Sequence, residues 1–282
     1  MNAQATPLKY RSIWISDIHL GTPGCKAEFL LDFLKHTSSK KLYLVGDIID
    51  GWALQRNWYW PQEHNDVVQK ILRKARKGTE VFFIPGNHDA FVREYVDHNF
   101  GDITVAREMI HKTANGQQYL ILHGDEFDVV VKYAKWLALL GDWAYGICLR
   151  LNDFVNNVRQ WMGYPYWSLS AFLKLKVKNA VQFIADFENA LADVARKKGV
   201  NGVICGHIHH PEIREIDGIT YCNDGDWVES CSALVEHFDG SLEIVRWFSP
   251  YSDFTSLKGS EECDMSSSQT LGRLKSMVSF KL

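Results

Sequence analysis

Five short apolar segments of this chain each end in a cluster of Asp, Asn, His and Gly, and this pattern constrains the fold more than any other. The clusters are DIH at 17–19, GDIID at 46–50, GNHD at 86–89, HGD at 123–125 and GHIH at 206–209. Short apolar runs bounded by turn residues are typical of buried strands. In an open α/β sheet the carboxyl ends of the strands face one crevice, where ligands bind. We therefore expect the five clusters to meet at one edge of a sheet.

Helical patterns separate the first of these strands. Residues 27–36 and 66–77 have apolar side chains at steps of three and four. Strands that alternate with helices predict βαβ units and a largely parallel sheet. Residues 103–111 and 118–122 flank Asn115-Gly116, a turn pair typical of hairpins, so we expect these two segments to pair with each other.

The pattern changes in the second half of the chain and predicts three regions. From 128 to 198 the strand signals stop and apolar residues recur at helical spacing. We therefore predict a core formed by 8–127 and 199–250, interrupted by a helical insertion at 128–198. The Ser-rich segment 251–282 has no such pattern, and we expect it to be a flexible tail.

The composition excludes several classes of protein. The chain has 282 residues, of which 46% are hydrophobic and 23% charged, with a formal net charge of −3. This is ordinary globular composition without the basic excess of a nucleic-acid-binding protein, so no nucleic-acid partner is expected. The six cysteines are scattered without a CxxC pair, and the N-terminus has no apolar leader. Both features predict a cytoplasmic protein with reduced thiols.

The clusters contain the side chains that bind divalent metal ions. Carboxylate, amide and imidazole ligands suit Mg²⁺, Mn²⁺, Fe²⁺ or Zn²⁺, and the absence of Cys argues against a closed structural zinc site. Asp17 and His19 lie two residues apart, as do His207 and His209. In extended backbone such pairs point to the same side, so each pair can reach one site. Glycines beside these residues let the backbone turn sharply near the ions.

The ordered set DxH, GDxxD, GNHD, HGD and GHxH resembles the calcineurin-like metallophosphoesterase superfamily. The resemblance extends from 12 to 247, apart from the insertion. It implies an α/β fold, an αββα sandwich that here carries the α-helical insertion as a lid. It also implies a hydrolase of phosphoric esters that uses two divalent metal ions, Mn²⁺ first, with Mg²⁺, Fe²⁺ or Zn²⁺ as alternatives.

The same resemblance implies a role for each ligand of the two ions. One ion would be held by Asp17, His19 and His209, and the other by Asn87, His123 and His207. Asp47 would bridge the two ions.

Two further residues receive a catalytic role from the resemblance. His88 matches the superfamily's histidine that is not a ligand, placed to stabilise the transition state or to protonate the leaving oxygen. Asp50, the second acid of GDxxD, would hold His88 in the correct tautomer. An imidazole fixed by a carboxylate is a sound arrangement for acid–base catalysis.

A narrower resemblance is to the UDP-2,3-diacylglucosamine hydrolases of lipid A synthesis, which carry a helical lid after the HGD cluster. That group cleaves a pyrophosphate to give UMP and a diacylglucosamine 1-phosphate. His88 stands where the group carries Arg, so the chain is most similar to a sister branch with GNHD. The resemblance implies a pyrophosphatase whose substrate is a nucleotide-linked lipid.

The composition of the insertion is consistent with a lipid substrate. Its aromatic and lysine side chains suit an acyl-chain groove or contact with the cytoplasmic face of the inner membrane, which would make the protein peripheral. A small helical core or a protein interface explains the same residues. Candidate substrate contacts are Arg56, Arg93, Trp136, Lys174 and Lys178. Each of the arginines could equally be a solvated surface charge, and the oligomeric state is left open.

Three tryptophans follow the GDxxD cluster directly, at Trp52, Trp58 and Trp60. They either wall the substrate cleft or pack beneath this loop. The alternative function is a soluble metal-dependent phosphodiesterase or phosphatase that acts on another small phosphoester, such as a cyclic nucleotide. A non-catalytic scaffold is the least favoured, because such proteins lose ligands and this sequence has all of them.

Overall fold

The computed structural model of this chain describes residues 7–127 and 169–248, with the side chains of the long fourth helix included from 184 onward. Most of the predicted insertion and the whole of the predicted tail lie outside the described residues. The predicted limits of these two regions therefore stay predictions.

Two mixed sheets form the centre of the described part, and their strands are numbered in chain order. The first sheet has the spatial order β12 (Leu242–Arg246), β11 (Ser232–Glu236), β1 (Leu8–Ile15), β2 (Thr37–Val45), β3 (Glu80–Ile84), β5 (Ile103–Val105), β4 (Asn99–Phe100). The second has the order β6 (Met109–Lys112), β7 (Gln118–Ile121), β8 (Gly202–Cys205), β10 (Ile219–Asn223), β9 (Glu212–Ile216).

The helices lie between these strands along the chain. They are α1 (Ala27–His36), α2 (Gly51–Arg56), α3 (Gln62–Arg76) and α4 (Leu169–Lys198), with two 3₁₀ helices at Ala90–Tyr95 and Asp125–Phe127. Helix α4 covers the last part of the predicted insertion. No helix within 7–127 or 169–248 is both long and apolar enough to cross a bilayer.

Parallel pairing dominates the middle of each sheet. Strands β1, β2, β3 and β5 pair in parallel, as do β7, β8 and β10. The outer strands β12, β11 and β4 of the first sheet and β6 and β9 of the second run antiparallel to their neighbours. The prediction of βαβ units with a largely parallel core is confirmed.

The predicted pairing of 103–111 as one strand is wrong. Ile103–Val105 pairs with β3 in the first sheet, whereas Met109–Lys112 pairs with β7 in the second. The chain crosses between the sheets through the exposed Arg107 and Glu108. The polar pair Arg107-Glu108 interrupts the apolar residues of this segment, but nothing in the sequence indicates that its two halves join different sheets. The hairpin across Asn115-Gly116 is confirmed for β6 and β7.

The apolar strands are buried on both faces, which produces four layers. On β1, Ile13 and Ile15 pack in the cluster that contains helices α1 and α3, whereas Trp14 packs between the sheets. The Trp14 ring stacks on Tyr43 of β2 with ring centroids 5.3 Å apart. Helix α4 covers the outer face of the second sheet with Phe187 and neighbouring apolar residues. The layers are therefore helix, sheet, sheet and helix, as the αββα expectation requires.

A buried polar network joins the two sheets around Glu236, the last residue of β11. Its Oε2 accepts hydrogen bonds from the Ser12 hydroxyl at 2.8 Å and from His111 Nε2 at 2.9 Å. Its Oε1 contacts the Arg11 guanidinium at 2.6 Å. Burial alone would raise the pKa of Glu236, but the hydrogen bonds from His111, Ser12 and the Ala114 backbone lower it to about 2.

This network makes a prediction about stability. Glu236→Gln is expected to lower the free energy of unfolding at pH 7 by about 2 kcal/mol, because an amide cannot replace charge-assisted hydrogen bonds. Since the pKa of the folded state lies below the unfolded value of about 4.3, the contribution is complete above that pH and is lost as the pH falls toward 2. Urea unfolding of both proteins between pH 7 and pH 3 measures the difference.

The matched control is Glu243→Gln on the edge strand β12, where the carboxylate is 58% exposed. This change is expected to alter the free energy of unfolding by no more than about 0.5 kcal/mol. A Glu236→Gln deficit that stays constant from pH 7 to pH 3 would contradict the assignment.

Candidate metal centre

The five polar clusters meet at the carboxyl ends of β1, β2, β3, β7 and β8, as the sequence predicted. Two groups of three side chains there each have their ligand atoms within 4.8 Å of one another. The first group is Asp17, His19 and His209, and the second is Asp47, His123 and His207. These six side chains come from four of the five clusters, at 17–19, 46–50, 123–125 and 206–209, so the convergence depends on the tertiary fold.

The first group surrounds one oxygen of Asp17. His209 Nε2 lies 3.0 Å from Asp17 Oδ1, and His19 Nε2 lies 3.9 Å from the same atom. The other oxygen, Oδ2, accepts hydrogen bonds from the His207 backbone N–H and the Ser16 hydroxyl, each at 2.7 Å. The carboxylate is thereby fixed with Oδ1 turned toward the two imidazoles.

The second group surrounds one oxygen of Asp47. His123 Nε2 lies 3.4 Å from Asp47 Oδ2, while Oδ1 accepts a hydrogen bond from the His88 backbone N–H at 2.8 Å. Asp47 also belongs to a third group with His19 and His88, in which the ligand atoms again lie within 4.8 Å. Asp47 is therefore the side chain that connects the neighbourhoods of His19 and His123.

Hydrogen bonds at Nδ1 orient two of the imidazoles. His19 Nδ1 lies 3.1 Å from Asp50 Oδ2, and His123 Nδ1 lies 2.8 Å from the Val45 carbonyl oxygen. An Nδ1–H that donates to a carboxylate or carbonyl leaves Nε2 as the lone-pair nitrogen, which is the usual arrangement for a metal-binding histidine. Both rings are therefore held in the tautomer that a metal ligand needs.

Several buried atoms at this edge make no hydrogen bond of normal geometry in the described part of the chain, although imidazole nitrogens approach the two carboxylate oxygens among them to 3.0 and 3.4 Å. They include Asp17 Oδ1, Asp47 Oδ2, Asn87 Oδ1 and His123 Nε2. Buried polar atoms are normally satisfied, and a group of such unsatisfied ligand atoms indicates an ion-binding site. All four are oxygen or nitrogen donors of the kind that divalent cations take, so the residues present fit the metal ions that the sequence predicts.

The electrostatics of the site also favour a cation. Burial opposes ionisation of Asp17, but the imidazoles of His209, His123 and His19 hold its pKa well below its usual range. Burial alone would lower the pKa of His123, but the carboxylates of Asp47 and Asp17 raise it to about 10. The carboxylates of Asp47 and Asp17 create a negative potential around His123, and the same potential attracts a divalent cation.

The backbone at the candidate ligands is left-handed, and this corrects the expectation of extended pairs. Positive φ angles occur at Asp17 (48°), His19 (54°), Asp47 (54°), His207 (72°) and His209 (54°). Non-glycine residues rarely adopt this region, at a cost of about 1 kcal/mol or more each. Asp17 and His19 do share one ligand group, through left-handed turns rather than through a strand, whereas His207 and His209 belong to different groups.

Two glycines give the room for these turns. A Cβ at Gly46, whose φ is +80°, would lie 2.2 Å from His123 Nδ1. A Cβ at Gly86 would lie 2.3 Å from Asp47 Oδ1. Neither position can hold a larger residue without displacing a candidate ligand.

His88 and Asp50 adjoin the metal ligands as a pair. His88 Nδ1 lies 3.0 Å from Asp50 Oδ2, and His88 Nε2 lies 3.9 Å from Asp47 Oδ2. Burial opposes ionisation of Asp50, but contacts with His19, His88 and the Ala53 N–H hold its pKa far below its usual range. Asp50 was expected to contact His88 alone, whereas its Oδ2 contacts both His88 and His19.

Two further polar residues, Ser16 and Asp224, adjoin the site and were not predicted from the sequence. The Ser16 hydroxyl lies 2.7 Å from Asp17 Oδ2 and 2.6 Å from Asp224 Oδ1, and both carboxylates are fully buried. Burial raises the pKa of Asp224 well above its usual range. Asp224 begins the DGD segment that follows β10, so it obeys the rule that identified the other clusters and could have been found by it.

The candidate substrate contacts fall in different parts of the chain. Arg56 is exposed at the end of α2. Arg93 Nη2 contacts Asp125 Oδ2 at 2.6 Å, and the two line a cavity of about 220 Å³ that reaches His123. Trp136 lies outside the described residues. Lys174 and Lys178 lie on α4, before the point from which its side chains are described.

Comparison with known proteins adds independent findings to this geometry. A family model for calcineurin-like phosphoesterases matches residues 10–211. A UDP-2,3-diacylglucosamine hydrolase of Xanthomonas campestris pv. campestris is 28% identical over 253 residues, which cover 81% of this chain and 96% of that protein. The enzyme of the same name from Chromohalobacter salexigens is 28% identical over 222 residues, covering 73% of this chain and 84% of its own.

Among solved structures, the chain is similar to Yfce, a phosphoesterase from E. coli, with 16% identity and a TM-score of 0.38. That likeness covers 84% of this chain and 99% of the other. The family match spans all five polar clusters, from the first strand to the residues after GHIH.

Proposed function

Because this chain belongs to the calcineurin-like phosphoesterase family and is a metal-dependent hydrolase, we propose that it cleaves the pyrophosphate of a UDP-linked diacylglucosamine. The products would be UMP and the sugar-lipid 1-phosphate, and the reaction would belong to lipid A synthesis. The observation that carries the chemistry is the pair of ligand groups connected through Asp47. The name of the relatives that match along most of their length supports the substrate.

The proposed ligand sets follow the two groups. Asp17, His19 and His209 would hold one ion, Asn87, His123 and His207 would hold the other, and Asp47 would serve both. The orphaned buried atoms and the fixed imidazole tautomers support this assignment. Mn²⁺ is the ion we propose first, with Mg²⁺, Fe²⁺ and Zn²⁺ as the other candidates that the same ligands accept.

When bound, such ions polarise the phosphoryl oxygens and make hydroxide available near neutral pH. His88 supplies what the ions do not, a proton for the leaving oxygen or positive charge beside it. Its Nδ1 faces the ionised Asp50, so the proton that it transfers would reside on Nε2, on the side of Asp47. Asp50 positions this ring and the ring of His19 together.

We propose that the helical insertion predicted at 128–198 binds the lipid part of the substrate. Aromatic and lysine side chains there would line the acyl chains and contact the cytoplasmic face of the inner membrane, with Trp136, Lys174 and Lys178 among them. Arg56 and Arg93 are proposed contacts of the phosphate groups. Arg93 would act together with Asp125, to which its guanidinium is already bound.

Acyl-chain length provides the test of this substrate. Each buried methylene contributes about 0.8 kcal/mol, so four additional methylenes are expected to raise kcat/KM by about two orders of magnitude on otherwise identical UDP-sugars. Leu173→Asp, on the first turns of α4, is expected to flatten this dependence and to leave hydrolysis of a small model diester intact. The measurement is a chain-length series on both proteins at saturating metal.

A matched control is Leu72→Asp on α3, where the leucine is 49% exposed in the helix layer of the first sheet. This variant should retain the full dependence on chain length. Equal rates on acylated and non-acylated substrates in the unmodified protein would refute acyl recognition. The alternative, a soluble phosphodiesterase or phosphatase acting on another small phosphoester, would then take its place.

A further inference from the structure

The three tryptophans after GDxxD have different surroundings, and only one of them contacts the candidate catalytic pair. Trp58 is 74% exposed and packs on Trp60, with ring centroids 6.3 Å apart. Trp60 packs in turn against the buried His64 at 5.7 Å. Trp52 instead lies against His88, with ring centroids 4.4 Å apart and planes inclined by 38°.

The position of Trp52 is fixed by the residues of the site itself. Asp50 caps α2, because its Oδ1 accepts a hydrogen bond from the Ala53 N–H at 2.7 Å while its Oδ2 faces His88. The Gly51 N–H donates to the His88 carbonyl at 3.0 Å. One side-chain contact and one backbone hydrogen bond therefore connect the helix that carries Trp52 to the loop that carries His88.

A second aromatic ring lies beside Gly51. A Cβ at Gly51 would lie 2.9 Å from the His88 carbonyl and 3.1 Å from Phe91 Cε1, so only glycine allows this approach. Trp52 is 48% exposed and Phe91 is 50% exposed. We call these two residues the aromatic rim. The backbone beneath the rim is held by the contacts of Asp50 and Gly51, and about half of each aromatic side chain is open to solvent.

We propose that the aromatic rim binds the nucleobase of the substrate, with Trp52 as the residue that stacks on it. The proposal rests on the proposed function, since it names the part of a nucleotide substrate that this side of the site receives. A rigid, half-exposed indole suits a flat ring, because stacking needs one open face and no enclosure. An acyl chain gains most of its binding energy in an enclosed apolar groove, and the polar side chains of Asp50 and His88 beside Trp52 do not form one.

Two ligands that differ only in the base test the assignment. Uridine 5′-monophosphate and ribose 5-phosphate share the sugar and the phosphate that would reach the metal ions. Titration calorimetry on the Mn²⁺-loaded protein is expected to give uridine monophosphate the lower Kd, by about tenfold to a hundredfold. Trp52→Ala should remove this preference and leave the Kd of ribose 5-phosphate unchanged. Trp52→Phe should retain most of it, and Trp58→Ala, the matched control, should retain all of it.

The outcomes separate three explanations. If Trp52→Ala weakens both ligands equally, Trp52 only holds His88 in place and the base-binding proposal is overturned. If Trp52→Ala retains the preference for the base, the base binds elsewhere and the proposal is also overturned. A base preference that depends on Trp52, in a protein that does not hydrolyse UDP-diacylglucosamine, would leave this inference standing while the proposed function fails. Thermal unfolding of each variant checks that the fold is intact.

Discussion

Asp47→Ala is expected to lower kcat/KM by at least about four orders of magnitude and to release bound metal. The carboxylate connects the two ligand groups, and a metal pair supplies several kcal/mol of transition-state stabilisation, which corresponds to a loss of this size. Asp17→Ala and His209→Ala should each weaken mainly one ion. Metal analysis of the purified proteins, together with hydrolysis of a model diester, measures both effects.

The control for this experiment is Asp193→Ala on α4, a carboxylate that is 61% exposed and paired with Arg196. It should retain the metal content and the activity of the unmodified protein. An Asp47→Ala protein that is active and fully loaded with metal would overturn the proposed two-metal assignment. Retention of one ion with full activity would reduce the site to a single-metal centre.

His88→Ala is expected to retain both metal ions and to lose about 10²–10⁴-fold in kcat, the usual contribution of a positioned acid–base group. His98→Ala, which removes an exposed imidazole, is the control and should have no effect. The dependence on the leaving group identifies the role. If His88→Ala lowers kcat for nitrophenyl esters, which have good leaving groups, as much as for esters with poor leaving groups, then His88 stabilises charge and does not donate a proton.

Because Asp50 contacts both His19 and His88, its substitution is expected to affect metal binding as well as catalysis. The native Asp50 carboxylate contacts His19, His88 and the Ala53 N–H at the start of α2. Asp50→Asn retains only one acceptor oxygen for these three contacts. We therefore expect a smaller loss in kcat than for His88→Ala, accompanied by weaker binding of the ion at His19. Metal content in the two variants distinguishes these effects.

The location of the site could be predicted from the sequence because strand ends carry strong signals. An apolar run of this kind is buried on both faces of its sheet, as Ile13 and Trp14 show on β1. The first polar residues after such a run therefore mark the end of the strand. The carboxyl ends of parallel strands then bring residues as distant as Asp17 and His209 together. The same rule would have identified Asp224 if the segment after β10 had been included.

Other features could not be predicted because they depend on the tertiary arrangement. The change of sheet between Val105 and Met109 depends on long-range strand pairing, which the polar pair Arg107-Glu108 between them does not specify. The second contact of Asp50 and the difference between Trp52 and Trp58 depend on how α2 packs beside His88. The left-handed conformation at Asp17 and His207 contradicts ordinary residue preferences, and only a closely packed surrounding structure maintains it.

Those left-handed residues set a limit on how this protein can evolve or be engineered. Five strained residues at about 1 kcal/mol or more each represent a large share of the 5–15 kcal/mol that holds a typical domain folded. Glycine would relieve the strain at any of the five positions but would remove a ligand. Selection for heat resistance and selection for hydrolysis therefore act in opposite directions at this edge of the sheets. A variant with higher thermal stability has to gain that stability elsewhere, in the helix layers or in the polar network around Glu236.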